Sequence, residues 1–464
     1  MDTRITRTTR IKKNMRNWNL RLNYRNSKAY KMILAILLFP SLLSAQRYKG
    51  DSLLQNPTLE NCIRYAIAHN PDLQNAKLNE EITETIIKSK LADWYPQLNL
   101  NYNLQHNFQL QTLNFNGMLI HTGTVNTSGL QLGATQNIFN RDVLLASRTS
   151  KDVRLQAQQN TKEQNINIAA LVSKAFYDVI LTKQQIRVTE QDIERINVSL
   201  KDAFYQYQSG ITDKTDYKRA TISLNNAKAQ KKTGDETLKA RLAYLGQLMG
   251  YPTHQELNLA YDTTEVGNKI FLDTLQDVNY SDRIEIQLLE TQKKLQQYNL
   301  QYYKWSFLPD VSAFGNYNLN FLNNKLGKLY SQSYPNSYAG ILLSIPIFQG
   351  GKRLQQIKQA QLEIQQVDNS IKSVQNNINT QYVQALASYK SNLYNFYSIK
   401  ENLDLANEVY EVIRLQYRAG IKTYLEVINS ETDLRTAQIN YYNALYQVLS
   451  SKVDVAQSLG KIDY

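Results

Sequence analysis

This chain is written twice, and a duplicated chain folds into something whose two halves share one architecture. The stretch Gln206-Tyr207-Gln208-Ser209-Gly210-Ile211 returns as Gln416-Tyr417-Arg418-Ala419-Gly420-Ile421, and Leu248-Met249-Gly250 returns as Ser458-Leu459-Gly460, both 210 positions on. Asn137-Ile138-Phe139-Asn140 recurs as Pro346-Ile347-Phe348-Gln349 at 209, and Tyr95-Pro96-Gln97-Leu98 recurs as Leu308-Pro309-Asp310-Val311 at 213. An offset that drifts so little argues against a single asymmetric catalytic cleft.

Apolar positions near each repeated turn step by three and four: Ile193, Ile196, Leu200, Ala203, Tyr207 in the first half, and Leu403, Ala406, Tyr410, Ile413, Tyr417 in the second. That is the 3.5-residue period of a coiled-coil seam, so the expected helices pack along their length and supercoil. Residues 141–208 contain neither Pro nor Gly, and a continuous helix there would be about 100 Å long at ~1.5 Å per residue. Residues 352–419 repeat the pattern, and each run is followed, past its Gly, by a return helix over 214–249 or 423–459. Helices of this length build a tube or rod rather than a globule.

Between the helices the period changes to two. Leu98, Leu100, Tyr102, Leu104, His106, Phe108 and Leu110 alternate with Asn and Gln at 97–109, and Val311, Ala313, Gly315, Tyr317, Leu319 and Phe321 repeat the alternation. Weaker runs follow at Leu130, Leu132, Ala134 and at Ala339, Ile341, Leu343, Ile345, so each half holds two strands, joined by polar loops around 114–127 and 323–337. Two readings fit: a soluble antiparallel sheet with one wet face, or a membrane barrel, apolar outside and amide-lined inside. Four strands cannot close a barrel, so the second reading requires one shared between subunits.

The nominal charge of +13 misleads. Residues 1–45 hold ten basic groups and one acidic group, which leaves 43 basic and 39 acidic groups for the rest, so high pI does not imply a nucleic-acid partner. That N-terminus reads as a secretory leader: Lys28 and Lys31, an apolar run over 32–43 too short to span a bilayer, then Ser44-Ala45 before Gln46. Residues 1–27 are Arg-rich and without pattern, either a long leader or an over-extended start, with Met15 and Met32 as alternative beginnings. The single Cys62 excludes an internal disulfide, and His69, His106, His121 and His254 lack metal-ligand spacing, so no cofactor is expected. Gly350-Gly351-Lys352 lacks the spacing and the following Ser/Thr of a phosphate-binding loop. No local motif suggests a nucleophilic triad, and the chain does not read as an enzyme.

Taken in order, these features resemble the TolC family of outer-membrane efflux proteins over about residues 58–461. The resemblance rests on Thr58-Leu59-Glu60-Asn61-Cys62-Ile63 with Asn70-Pro71-Asp72-Leu73, on Pro96 and Pro309 where helices pass into strands, on Ile345-Pro346-Ile347-Phe348-Gln349-Gly350-Gly351, and on the paired Gly turns. It implies a mainly α protein with a membrane β-barrel: a homotrimer with twelve strands in one barrel and helices forming an α-barrel across the periplasm. Its divisions would be an extension and removed leader at 1–45, a first repeat at 46–250, an equatorial segment at 251–282 and a second repeat at 283–464.

The resemblance also implies a role and its residues. The protein would be a passive exit duct in the outer membrane, working with a periplasmic adaptor and an inner-membrane transporter, in efflux or type I secretion. Tyr417 and Lys422 match a tethering pair whose acidic partner is Asp216, and Glu426 and Asn429 fall on two pore-facing acidic rings, the second neutralised here. Lys422 stands where a fork-shaped Arg is usual. Gly210, Ile211, Gly420 and Ile421 would form the tips that meet the adaptor. The competing reading is a periplasmic adaptor or structural coiled-coil protein that conducts nothing.

Overall fold

The computed structural model describes residues 57–259, 270–273 and 276–462. The leader and extension expected at 1–45 lie outside the described residues, as do 46–56 and part of the equatorial segment.

Two long helices dominate. α3 spans Arg141–Gln208 and α6 spans Lys352–Arg418, 68 and 67 residues, as expected where no Pro or Gly interrupts the backbone hydrogen-bond ladder. Each returns as a shorter helix, α4 (Lys214–Met249) after α3 and α7 (Tyr424–Ser458) after α6. Each is preceded by a helix of about 20 residues, α2 (Pro71–Leu91) and α5 (Ile284–Trp305). The opening helix α1 (Leu59–His69) has no α-helical counterpart before α5 among the described residues, only a 3-10 turn over Tyr280–Asp282.

The seam departs from the simple expectation. Along α6 the buried residues Arg353, Ala360 and Val367 step by seven, Val367, Ile378 and Tyr389 step by eleven, and Tyr389 to Phe396 steps by seven again. Seven-residue steps wind a helix pair left-handed and eleven-residue steps unwind it, so the mixture brings α6 close to straight.

The strands form one antiparallel sheet in the order β1 (Gln97–His106), β4 (Asn126–Phe139), β5 (Asp310–Asn323), β6 (Ser333–Ser344), which leaves β1 and β6 as free edges. Register places Leu98, Leu100, Tyr102 and Leu104 opposite Ala134, Leu132, Leu130 and Ser128, so the greasy residues share a face and Asn99, Asn101, Asn103 and Gln131 share the other. On the amide face, Gln131 donates to Asn316 at 3.2 Å and Asn318 to Asn336 at 2.8 Å. Asp310 is the only charged residue within these four strands.

The first connection corrects the sequence reading. It is not a polar loop: β1 stops at His106 rather than Leu110, and a second hairpin, β2 (Gln111–Phe115) with β3 (Met118–Thr122), turns at Asn116-Gly117. Both turn residues have positive φ, 50° and 86°, the conformation that matches the twist of a two-residue hairpin. The second connection is shorter than expected, a 3-10 turn over Leu326–Ser331 with Leu329 buried.

The apolar core lies at mid-length, remote from both sheet and tips. There Cys62 and Ala66 of α1, Val172 to Leu181 of α3, Leu245 and Met249 of α4, Tyr389 and Phe396 of α6, and Val448 and Leu449 of α7 pack together. Leu257, Leu259 and Ile270 of the inter-repeat segment join them, and the Tyr389 hydroxyl donates to the Ile270 carbonyl at 2.8 Å. Burial pushes the Cys62 thiol up to about 12, with Glu60 adding to the effect, which leaves it inert.

Each repeat is closed on itself here by an equivalent contact. Gly250 and Gly460, with φ of 66° and 71°, end α4 and α7, and Asn70 and Arg283, 213 positions apart, cross to their last carbonyls. A methyl group on Gly250 would collide with the His69 carbonyl, whereas Gly210 and Gly420 have open space around them. Gly250→Ala is therefore expected to cost roughly 2–4 kcal/mol from strain and overpacking together, against about 1–2 kcal/mol for Gly210→Ala or Gly420→Ala. Thermal unfolding of the three variants measures the difference, and equal losses would contradict it.

Candidate functional site at the paired helical turns

At the end remote from the sheet, two turns of the same backbone design lie on the two hairpins. In the first, Gly210 (φ 73°) donates its N–H to Tyr207 at 3.1 Å and Ile211 donates to Gln206 at 2.9 Å. In the second, Gly420 (φ 76°) donates to Tyr417 at 2.9 Å and Ile421 donates to Gln416 at 2.9 Å. This pairing caps the last carbonyls of α3 and α6, and it needs a left-handed residue, which Gly supplies without strain. Ile211 and Ile421 are 73% and 72% exposed, so each turn presents one bare apolar side chain.

The helices leaving the turns begin differently. On α7, Thr423 and Glu426 form a reciprocal cap: the Thr423 N–H donates to Glu426 Oε2 at 2.9 Å, and Lys422 Nζ donates to Glu426 Oε1 at 2.6 Å. The Lys422 bond and the Thr423 N–H hold the Glu426 carboxyl down at about 2, from its ordinary 4.5. On α4, Asp213 caps Thr215 at 2.6 Å, and Asp216 stands at the position equivalent to Glu426. Among the described residues Asp216 has no such partner; burial and then the like charge of Asp213 push its carboxyl up, against the pull of Arg219.

The expected residues are thus brought to one end, but paired otherwise than expected. Among the described residues no ion pair joins Lys422 to Asp216, because Lys422 is taken by Glu426 one turn along its own chain. The Tyr417 hydroxyl donates across the repeats to Gln206 Oε1 at 3.1 Å, and burial and then the Asp216 charge push it up. The Tyr417 and Tyr424 rings meet at a tilt, 5.8 Å between centroids, over a small core with Ala220 and Val427. Asn429 is exposed on α7, one turn beyond Glu426.

Sequence reasoning missed Gln206, Tyr424 and a set of charges two turns higher, where Asp192 of α3 meets Arg435 of α7 at 3.0 Å and Glu431 accepts from Ser199 at 3.1 Å. A signal existed. Tyr424, Val427, Glu431 and Leu434 step by three, four and three and are all buried, so Glu431 occupies an apolar seam position.

Among the described residues no cluster of His, Cys, Asp or Glu could hold a metal ion, and no helix is long and apolar enough to cross a membrane. Two repeats of long helical hairpins and a sheet with one greasy and one amide face are the geometry of a duct-forming outer-membrane protein. The sequence profile of the family described as Outer membrane efflux protein matches residues 62–251 and again 283–461, and the chain belongs to that family. Outer membrane protein TolC of Escherichia coli is 22% identical over 92% of this chain and 87% of its own length. Alkaline protease secretion protein AprF of Pseudomonas aeruginosa is 21% identical over 72% of this chain and 69% of its own. Among solved structures, the open state of the MtrE outer membrane channel of Neisseria gonorrhoeae superposes with a TM-score of 0.69 at 18% identity, over 87% of this chain and 89% of that one. VceC of Vibrio cholerae superposes with 0.68 at 14%, over 87% and 96%. Family membership decides between the two sequence readings in favour of the outer-membrane duct and against the adaptor.

A depressed carboxyl stabilises above its ordinary pKa and stops doing so as pH falls through the shifted one. The thermal-stability difference between the wild type and Glu426→Gln is therefore expected to hold from pH 7 to about pH 4 and to close near pH 2. A gap that does not change between about pH 4.5 and pH 2 would show that Glu426 is not held by Lys422 and Thr423 in solution.

Proposed function

We propose that three copies of this chain close a twelve-stranded barrel through the free edges of β1 and β6, and that the helices continue it as a tube ending at the Gly210 and Gly420 turns. The observation that carries this is the four-stranded sheet itself: one face apolar, the other amide-lined, and two unpaired edges. In hydrocarbon each unsatisfied backbone group costs several kcal/mol, so the edges demand closure. The turns would be the closing end of the duct and the place where a periplasmic adaptor, coupled to an inner-membrane transporter, makes contact through Ile211 and Ile421.

In this reading Tyr417 fastens the α6–α7 hairpin to α3 through Gln206. Lys422 holds Glu426 in place, and three copies of Glu426 around the axis, with the neutral Asn429 beyond, would favour cations. Asp216, in no ion pair among the described residues, would be free to meet a neighbouring copy. The relatives carry names of different trades, protease secretion for AprF and toluene efflux for TtgC of Pseudomonas putida, and this chain would share the duct and not a particular cargo.

The test is planar-bilayer recording. Tyr417→Phe removes one hydrogen bond of about 1 kcal/mol, so the open fraction is expected to rise about fivefold; Lys422→Ala and Asp216→Ala are expected to raise it too. Glu426→Ala should weaken cation selectivity without loss of trimers. Unchanged conductance in all three tether variants, with trimers intact on unheated gels, would show that the tip is not where the duct closes.

A further inference from the structure

The seam between α3 and the α6–α7 hairpin should be apolar, and about two turns above the second Gly turn it is not. Asp192, with its side chain 1% exposed, accepts from Arg195 on its own helix at 3.2 Å and from Arg435 of α7 at 3.0 Å. Glu431, one turn before Arg435 and 4% exposed, is in no ion pair among the described residues and accepts from the Ser199 hydroxyl at 3.1 Å. From α6 the buried Tyr410 ring faces the guanidinium groups of Arg195 at 5.8 Å and Arg414 at 5.7 Å, and Arg414 pairs with Glu411 at 2.7 Å. α4 packs nearby through Ala220, Leu224 and Ala227, and none of its ion pairs reaches the cluster. The Tyr424 hydroxyl and the Nε atoms of Arg195 and Arg414 are buried there without a hydrogen-bond partner. Arg195 and Arg435 thus face Asp192 and Glu431 inside the seam, the Arg414–Glu411 pair lies at its half-exposed edge, and the carboxylate with the weakest partner is Glu431.

We propose that this cluster is a proton-sensitive fastener between α3 and the α6–α7 hairpin, tight while Glu431 carries a proton and loosened when it gives that proton up. A buried carboxylate held by one hydroxyl, beside a second carboxylate that already engages both nearby arginines, is costly to ionise. Burial, with Asp192 adding its charge, pushes Glu431 up to about 7, although Ser199, Arg195 and Arg435 pull the other way. A raised carboxyl favours the packed seam fully below its ordinary 4.5, and that advantage is lost as pH rises through about 7. Parting the seam admits water, returns Glu431 toward its ordinary value and releases the proton. The titration falls near neutral pH, well above that of Glu426 at the turn. For its effect on conduction, and only there, the inference rests on the tip being the closing end.

Hydrogen exchange of the intact protein, corrected for intrinsic rates, tests the fastener directly. Protection of residues 192–203 and 424–435 is expected to fall on the order of tenfold between about pH 5.5 and 8.5 in the wild type. Glu431→Gln, which keeps the shape and cannot ionise, should hold the acid level of protection throughout. Ser199→Ala removes a bond that favours the ionised form and should move the midpoint to higher pH. Glu426→Gln should leave the response in place. A wild type without the response, or a Glu431→Gln protein that keeps it, overturns the inference. Conductance recorded over the same range should rise with the same midpoint. Exchange that responds while conductance does not would uphold the fastener and reject the tip as the gate.

Discussion

Backbone groups in hydrocarbon have no water to turn to, and this chain meets that demand with too few strands to meet it alone. β1 and β6 each leave a row of unpaired N–H and C=O groups, so the sheet is complete only when copies share it. The requirement passes down the molecule. Each strand pair stands on its own long helical hairpin, so one repeat unit, strand pair and hairpin together, had only to be doubled to supply four strands and two tips. The apolar core sits midway between, where α1 and the inter-repeat segment pack on the long helices, and holds the two units together.

The doubling preserved backbone and released chemistry. Gly210 and Gly420 make the same turn, and Asp216 and Glu426 occupy the same place in the first turn of the next helix. Thr423 makes Glu426 half of a reciprocal cap, while Asp213 makes Asp216 a repelled neighbour. One carboxyl falls to about 2, held first by Lys422 where the first repeat has Thr212, and the other rises through burial and then the charge of Asp213. Equivalent positions in a repeat are equivalent in geometry first, and in electrostatics only where their neighbours were copied as well.

Much of this was legible in the residues. Runs without Pro or Gly marked α3 and α6 almost to the residue, because nothing else ends a helix so sharply, and period-two alternation marked the four strands of the main sheet. The paired turns were legible because Gly210 and Gly420 carry positive φ. The β2–β3 hairpin was not, since Asn, Thr and Gly between its apolar residues read as loop until pairing gives them partners. The partner of Lys422 was not either: a reach of four residues along a helix competes with a reach across helices, and the packing of the hairpins decides. Glu431 was hidden by its own polarity, an acid counted as surface at a seam position.

The alternation of seven- and eleven-residue steps along α6 has an orientational consequence. A pair of helices with only seven-residue steps coils with a pitch of about 150 Å, so over a length of about 100 Å each would travel some two-thirds of the way around its partner. A side chain facing one direction at the sheet would then point about 240° around from it at the tip. Eleven-residue steps in the middle cancel most of that rotation. Inward and outward therefore keep the same meaning from one end of the helix to the other, and a stripe of polar residues can line a passage without spiralling out of it.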